Sequence, residues 1–111
     1  MTALEVFDET IEALARAKVM TILNNHISDA KWCCNPFDFN GAWWNQRYST
    51  QDWIDVLTSL TARYKDQPYV IGNDLRNEIR WDALNFILPR WGNGSERSDW
   101  KIAAKKASDA I

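Results

Sequence analysis

Tyr69-Val70-Ile71-Gly72-Asn73-Asp74-Leu75-Arg76, followed at once by Asn77-Glu78, is the stretch that decides the fold. Asp66-Gln67-Pro68 stands before it and stops any preceding helix, because proline disfavours helical geometry in the residue ahead of it. The spacing predicts a strand over 69–76 that delivers Asn77 and Glu78 to its C-terminal end. Upstream, Val19-Met20-Thr21-Ile22-Leu23 is a nearly continuous apolar run, the pattern of a strand buried on both faces of a parallel sheet. Between the two, Ser49 and Asp52 form a capping-box pattern, and Trp53, Val56, Leu57, Leu60 and Tyr64 then recur at helical spacing over about 50–65. Strand, crossover helix, strand implies a parallel pair joined right-handedly.

Working outward, Leu4, Phe7, Ile11, Leu14 and Ala15 give an amphipathic helix over about 3–17, with Arg16 and Lys18 near its C-terminus. At the other end Ser98 can cap a last helix in which Trp100, Ala103, Ala104, Ala107 and Ile111 share a face. Long irregular stretches follow both strands: 27–48, and the residues after Glu78 with Trp81, Pro89, Trp91, Gly92 and Gly94. Ligands of α/β folds bind beyond the C-terminal ends of the strands, where these loops fall.

Composition narrows the function classes. The chain has 111 residues, 46% hydrophobic and 25% charged, which suits one small globular unit. Thirteen basic against fifteen acidic side chains leave a net charge of −2, with no block of like charge and so no footprint for nucleic acid. No run of about 18 apolar residues is present to span a membrane. Glu5, Asp8, Glu9 and Glu12 reverse the pattern of a secretory signal, so the expectation is an intracellular protein or a start further upstream.

Glu78, following a buried-type strand, is the candidate general acid, since a rigidly held and partly desolvated carboxyl can hold its proton near neutrality. Asn77 beside it can donate a hydrogen bond to a sugar hydroxyl. The bland alternative is a surface pair of Glu78 with Arg76 or Arg80. His26 ends the first strand and should lie near Glu78, lining the same cleft or bonded to backbone. As the only histidine it cannot build a multi-histidine metal site, and nothing calls for a metal or other cofactor. Of seven tryptophans, Trp32, Trp43, Trp44, Trp81 and Trp91 fall in the loops, while Trp53 and Trp100 fit helix faces. Loop indoles suit the flat faces of pyranose rings, although some must cover the end of the fold. Cys33 and Cys34 are adjacent, and a bond between neighbours needs a strained ring. They are expected as free thiols in a loop, or as partners of cysteines elsewhere.

Trp43-Trp44-Asn45, Ser49-Thr50-Gln51-Asp52-Trp53, Leu60-Thr61-Ala62-Arg63-Tyr64-Lys65-Asp66-Gln67-Pro68, Val70-Ile71-Gly72, Asp74-Leu75 and Asn77-Glu78, in that order, resemble glycoside hydrolase family 5, the cellulases of endoglucanase type. Asp99-Trp100, Ala103-Ala104 and Ala107 continue the match, and Lys31-Trp32-Cys33-Cys34 with Asn77-Glu78-Ile79-Arg80 resembles one branch of that family. The resemblance implies a (β/α)8 TIM barrel, of which residues 1–111 are a partial catalytic domain around the third and fourth strands. It implies retaining hydrolysis of a β-linked polysaccharide, Glu78 as proton donor, and Asn77, His26 and Trp44 as sugar contacts, in an extracellular enzyme. Ile79 stands where many members have proline. No segment matches the strand carrying the nucleophile, and retention needs two carboxylates about 5–5.5 Å apart. The isolated chain is therefore expected to be inactive, with a non-catalytic carbohydrate-binding fragment as the alternative.

Overall fold

A computed structural model describes all 111 residues. In chain order it contains α1 (Ala3–Arg16), β1 (Thr21–Asn24), α2 (Thr50–Tyr64), β2 (Val70–Asp74) and α3 (Trp100–Ala110). β1 and β2 pair in parallel as a two-stranded sheet, as the strand–helix–strand order requires. Thr21 pairs with Val70 but Ile22 with Gly72, so Ile71 is an extra residue on β2. That bulge lets Val70 and Asn73, three apart, both face the helices: Val70 packs on the cluster beneath α1, and Asn73 Nδ2 donates to Thr61 Oγ1 on α2 at 3.0 Å.

Local chemistry starts each helix. Thr2 with Glu5 and Ser49 with Asp52 form complete capping boxes at α1 and α2, each satisfying two backbone donors that a helix start leaves unpaired. The cap of α3 is Asp99, not Ser98. The Asp99 carboxylate accepts from the amides of Lys101 and Ile102 at 3.0 and 3.4 Å and also from Gly92 and Gly94 at 2.9 and 2.7 Å. Burial pushes its pKa up, but the four backbone donors outweigh this and leave it below the usual carboxylate value. Ser98 Oγ instead accepts from Asn93.

Two apolar clusters hold the elements. The larger joins Ala42 and Trp43 to Trp53, Ile54 and Leu57 of α2 and Ala103 and Ala107 of α3. Within it Trp43, Trp53 and Trp100 pack as a tilted trio with ring centres 5.5–6.5 Å apart. Two of the indole N–H groups are satisfied, Trp43 by Thr50 Oγ1 and Trp53 by the carbonyl of Leu75. The smaller cluster is Ile11, Leu23 and Tyr64, between α1, β1 and α2.

Several expectations need correction. Val56, placed on the inner face of α2, is exposed, and Ile54 takes its place in the core. Ile111 and Leu4 are also exposed. The strands are covered on one face only: Ile22 and Ile71 are 59% and 56% exposed, while Leu23 of β1 is buried against Ile11 of α1 and Tyr64 of α2.

Candidate active site

The second strand ends at Asp74, and Asn77 and Glu78 lie in the loop beyond it. The loop is nevertheless tied to β1. The amide of Asn77 donates to the carbonyl of Asn25 at 3.0 Å, so the segment carrying Glu78 runs beside the one carrying His26. Glu78 has a φ of 41°, in the left-handed region that non-glycine residues seldom occupy. Such backbone persists where surrounding bonds over-determine it, and it concentrates at functional sites.

Those bonds come from two arginines. Arg76 is buried, and its guanidinium donates to Asn25 Oδ1 at 3.0 Å and to the carbonyl of Asn40 at 3.1 Å. Burial lowers its pKa to about 10, with the charge of Arg80 acting in the same direction. Arg80 pairs with Asp38 at 2.7 Å and donates to the carbonyls of Asn35, Asn40 and Glu78. Neither arginine reaches the carboxylate of Glu78, which takes part in no ion pair or side-chain hydrogen bond and is exposed to solvent. The surface-pair alternative therefore fails. The burial expected of this residue is not found, since Glu78 is exposed.

The other candidates are distributed as follows. His26 is exposed, and its Nδ1 lies 3.0 Å from Asn24 Oδ1, while Asn24 Nδ2 donates to Asp74 Oδ2 at 2.7 Å. Trp44 packs against the larger core cluster, its Nε1 donating to the carbonyl of Arg97 and the Arg97 guanidinium standing 4.6 Å over its ring. None of these bonds joins it to Asn77, Glu78 or His26. Trp43 is fully buried and belongs to the core, whereas Trp32, Trp91 and Trp81 are 93%, 69% and 54% exposed.

Cys33 and Cys34 are bonded to each other, against expectation. Cys34 has a φ of 87°, which turns its side chain back toward that of Cys33. The pair adjoins the candidate acid: Asn77 Nδ2 is 3.9 Å from both sulphurs, and the sulphurs and the Glu78 carboxylate all lie within 4.8 Å of one another. Arg76, Arg80, Asp38 and Asn40 were not singled out as site residues from the sequence. Two arginines flanking Asn77-Glu78 were the available signal.

The geometry therefore gives a pair of adjacent parallel strands joined by a helix, an α/β unit with an unpaired carboxylate beyond their C-terminal end. The pattern of the family described as Cellulase (glycosyl hydrolase family 5) matches residues 1–111, and the chain belongs to that family. It is 30% identical over its full length to the Major extracellular endoglucanase of Xanthomonas campestris pv. campestris, covering 20% of that protein. It is likewise 30% identical over its full length to an endoglucanase of Paenibacillus polymyxa, covering 25% of it. A Glycosyl hydrolase 5 family protein of Chamaecyparis obtusa is 35% identical over 74 residues, which are 67% of this chain and 13% of that one. The chain thus spans a quarter or less of the length of these relatives.

Among solved structures, the catalytic domain of the Xanthomonas endoglucanase superposes with a TM-score of 0.83 at 29% identity, over 100% of this chain and 29% of that one. An endocellulase of Pyrococcus horikoshii, solved in complex with cellotetraose, superposes at 0.79 with 21% identity, over 99% and 29%, and shows the same fold.

Proposed function

We propose that residues 1–111 are the part of an endoglycosidase catalytic domain that carries its acid/base, and that Glu78 is that residue. The observation that supports this most directly is the Glu78 carboxylate, unpaired at the C-terminal end of two adjacent parallel strands and fixed through its backbone by Arg80 and the Asn77–Asn25 link. In a retaining reaction Glu78 protonates the leaving glycosidic oxygen. It then takes a proton from the water that releases the sugar from a nucleophilic carboxylate on another strand. Asn77 and His26 flank the sugar at the scissile bond, and Trp44 belongs to the wall of the cleft. The substrate is a β-1,4-linked glucan-type polysaccharide, met outside the cell. By itself the chain holds one carboxylate of the pair, and it hydrolyses nothing.

A chimera tests this, with residues 1–111 replacing the corresponding segment of the Xanthomonas endoglucanase barrel. The chimera hydrolyses carboxymethyl-cellulose, and Glu78→Gln in it lowers kcat by about 10²–10⁴. On an aryl cellobioside whose leaving group needs no protonation, kcat/KM is largely spared while kcat still falls, because release of the sugar from the nucleophile keeps its need for a base. Full kcat in the Gln variant, or equal losses of kcat/KM on both substrates, removes Glu78 from the role.

A second reading, binding of carbohydrate without catalysis, is favoured by the exposure of Trp32, Trp81 and Trp91. Titration of the isolated chain with cello-oligosaccharides should then change its indole fluorescence by millimolar sugar. An unchanged spectrum, with the chain folded, rejects this reading and leaves the first untouched.

A further inference from the structure

Two sulphurs and a carboxylate converge beyond the end of β2. The ligand atoms of Cys33, Cys34 and Glu78 all lie within 4.8 Å of one another, although they come from two separate loops. Bonds that do not involve sulphur hold those loops in place. Arg80 donates to the carbonyl of Asn35, next to the cysteines, at 3.2 Å and to that of Glu78 at 3.3 Å, and it is itself anchored on Asp38. Ala83 and Pro36 add a backbone bond of 3.0 Å between the same segments. The convergence of the three groups therefore has support apart from the S–S bond. Spacing along the chain could not reveal the set, because the third group comes from the loop after the next strand.

We propose that, once the disulfide is reduced, Cys33, Cys34 and Glu78 bind one thiophilic divalent cation of the Zn²⁺ or Cd²⁺ kind, and that the disulfide is the closed form of this site. Reduction by a phosphine breaks the S–S bond. The phosphine supplies two electrons and takes up the oxygen of a water molecule as its oxide, and the two hydrogens of that water complete the thiols. Cation binding then releases both thiol protons to the buffer, leaving two thiolates and one carboxylate as ligands.

The geometry requires short movements. Zn–S and Zn–O bonds of about 2.3 and 2.0–2.2 Å place tetrahedral ligand atoms roughly 3.3–3.8 Å apart. From the bonded distance of about 2 Å the two sulphurs must part by nearly 2 Å once the disulfide is reduced, and the carboxylate must approach by about 1 Å, a movement open to an exposed glutamate with no ion pair to break. Two thiolates select soft and borderline cations over Mg²⁺ and Ca²⁺. Asn77 Nδ2, 3.9 Å from each sulphur, stands as an outer hydrogen-bond donor to the thiolates. A cation here ties up the Glu78 carboxylate, whatever that carboxylate does in the complete barrel.

The purified 111-residue chain, oxidised or phosphine-reduced and desalted without oxygen, is titrated with Cd²⁺ alone. Bound metal is measured after gel filtration, thiolate-to-metal absorption in the ultraviolet, and helix content by circular dichroism. The reduced chain is expected to retain its helices and bind one equivalent, the oxidised chain none. Cys33→Ser and Cys34→Ser each abolish tight binding. Glu78→Gln, at an exposed position that leaves the fold intact, raises Kd at least tenfold. Equal binding by both redox forms, no binding by the reduced form, unchanged affinity in Glu78→Gln, or binding only with loss of helix content would each overturn the proposal. None of these results depends on hydrolysis, so the chimera and this titration fail independently.

Discussion

Arg76 and Gly41 show how much of the site is built by residues without a chemical role. Arg76 satisfies two loop acceptors from a buried position with no carboxylate beside it among its hydrogen-bond partners. Gly41 allows the 27–48 loop to press against the segment after Glu78: its carbonyl accepts from the amide of Arg80, and its amide donates to the buried carboxylate of Asp82. A Cβ at this position would stand 2.7 Å from the Asp82 Cβ and 2.8 Å from the carbonyl oxygen of Arg80, and backbone cannot yield as a flexible side chain does. Gly41→Ala therefore overpacks the junction, at about 1–3 kcal/mol. Local opening is the suitable measure, and the Arg80 amide is expected to exchange with deuterium roughly tenfold faster or more. An unchanged exchange rate would mean that the loops are joined elsewhere. None of this was legible in the sequence, where Arg76 and Arg80 could only be weighed as partners for Glu78, and nothing marked Gly41. The place of Glu78 beyond a strand end was legible because the composition of 69–76 announces that strand.

At the scale of elements, periodicity placed all three helices and both strands within a few residues. It failed where tertiary bonding decides. Asp99 displaced Ser98 as a cap because two glycine amides, seven and five residues before it, also point at its carboxylate, a contact that helical spacing alone does not record. The packing of α1 on α2 is a second case. Asp8 accepts from Tyr64 Oη at 2.6 Å and forms a two-bonded pair with Arg63, while Phe7 stacks at a tilt on Tyr64 with ring centres 5.9 Å apart. These bonds, Arg63 first, hold the Asp8 carboxyl at about 2, below its ordinary value of 3.8. A folded-state pKa below the unfolded one contributes stability that is fully present above the ordinary value and is lost as pH falls through the folded one. The docking of α1 is thus expected to weaken between about pH 4 and pH 2, detected as faster exchange of α1 amides. Asp8→Asn removes most of that dependence while leaving a weaker docked helix. A parent and an Asp8→Asn chain with the same acid profile would assign the docking to apolar packing alone.

The whole molecule carries the signature of a piece that needs neighbours. Its accessible surface is 7155 Å², whereas a self-contained protein of 12.9 kDa is expected to expose about 6300 Å². Its radius of gyration is 15.0 Å, against about 13 Å for a compact domain of this length. The excess surface has a location. Val19, Met20, Ile22 and Ile71 expose apolar side chains on or beside the sheet, and both strands have unpaired edges. Beside β2 an open hollow of about 610 Å³ is lined by Leu75, Ile79, Trp91 and Trp100 among others. In a closed barrel the next strand would pair with such an edge and cover such a hollow, and the barrel interior would bury Ile22 and Ile71. The reading of 19–23 as a strand buried on both faces thus fails for this chain, where Ile22 is 59% exposed, and it fits a strand of a closed barrel. Two parallel strands with one covered face lack the means to melt as a unit. Calorimetry of the isolated chain should give a broad transition whose van't Hoff enthalpy falls well below the calorimetric one, with dye binding to exposed apolar surface already present in the cold. The same residues inside the chimeric barrel should melt within its single cooperative transition. A sharp two-state peak for residues 1–111 alone would show that the helices and the tryptophan core suffice, and that the bare strand edges are tolerated rather than awaiting partners.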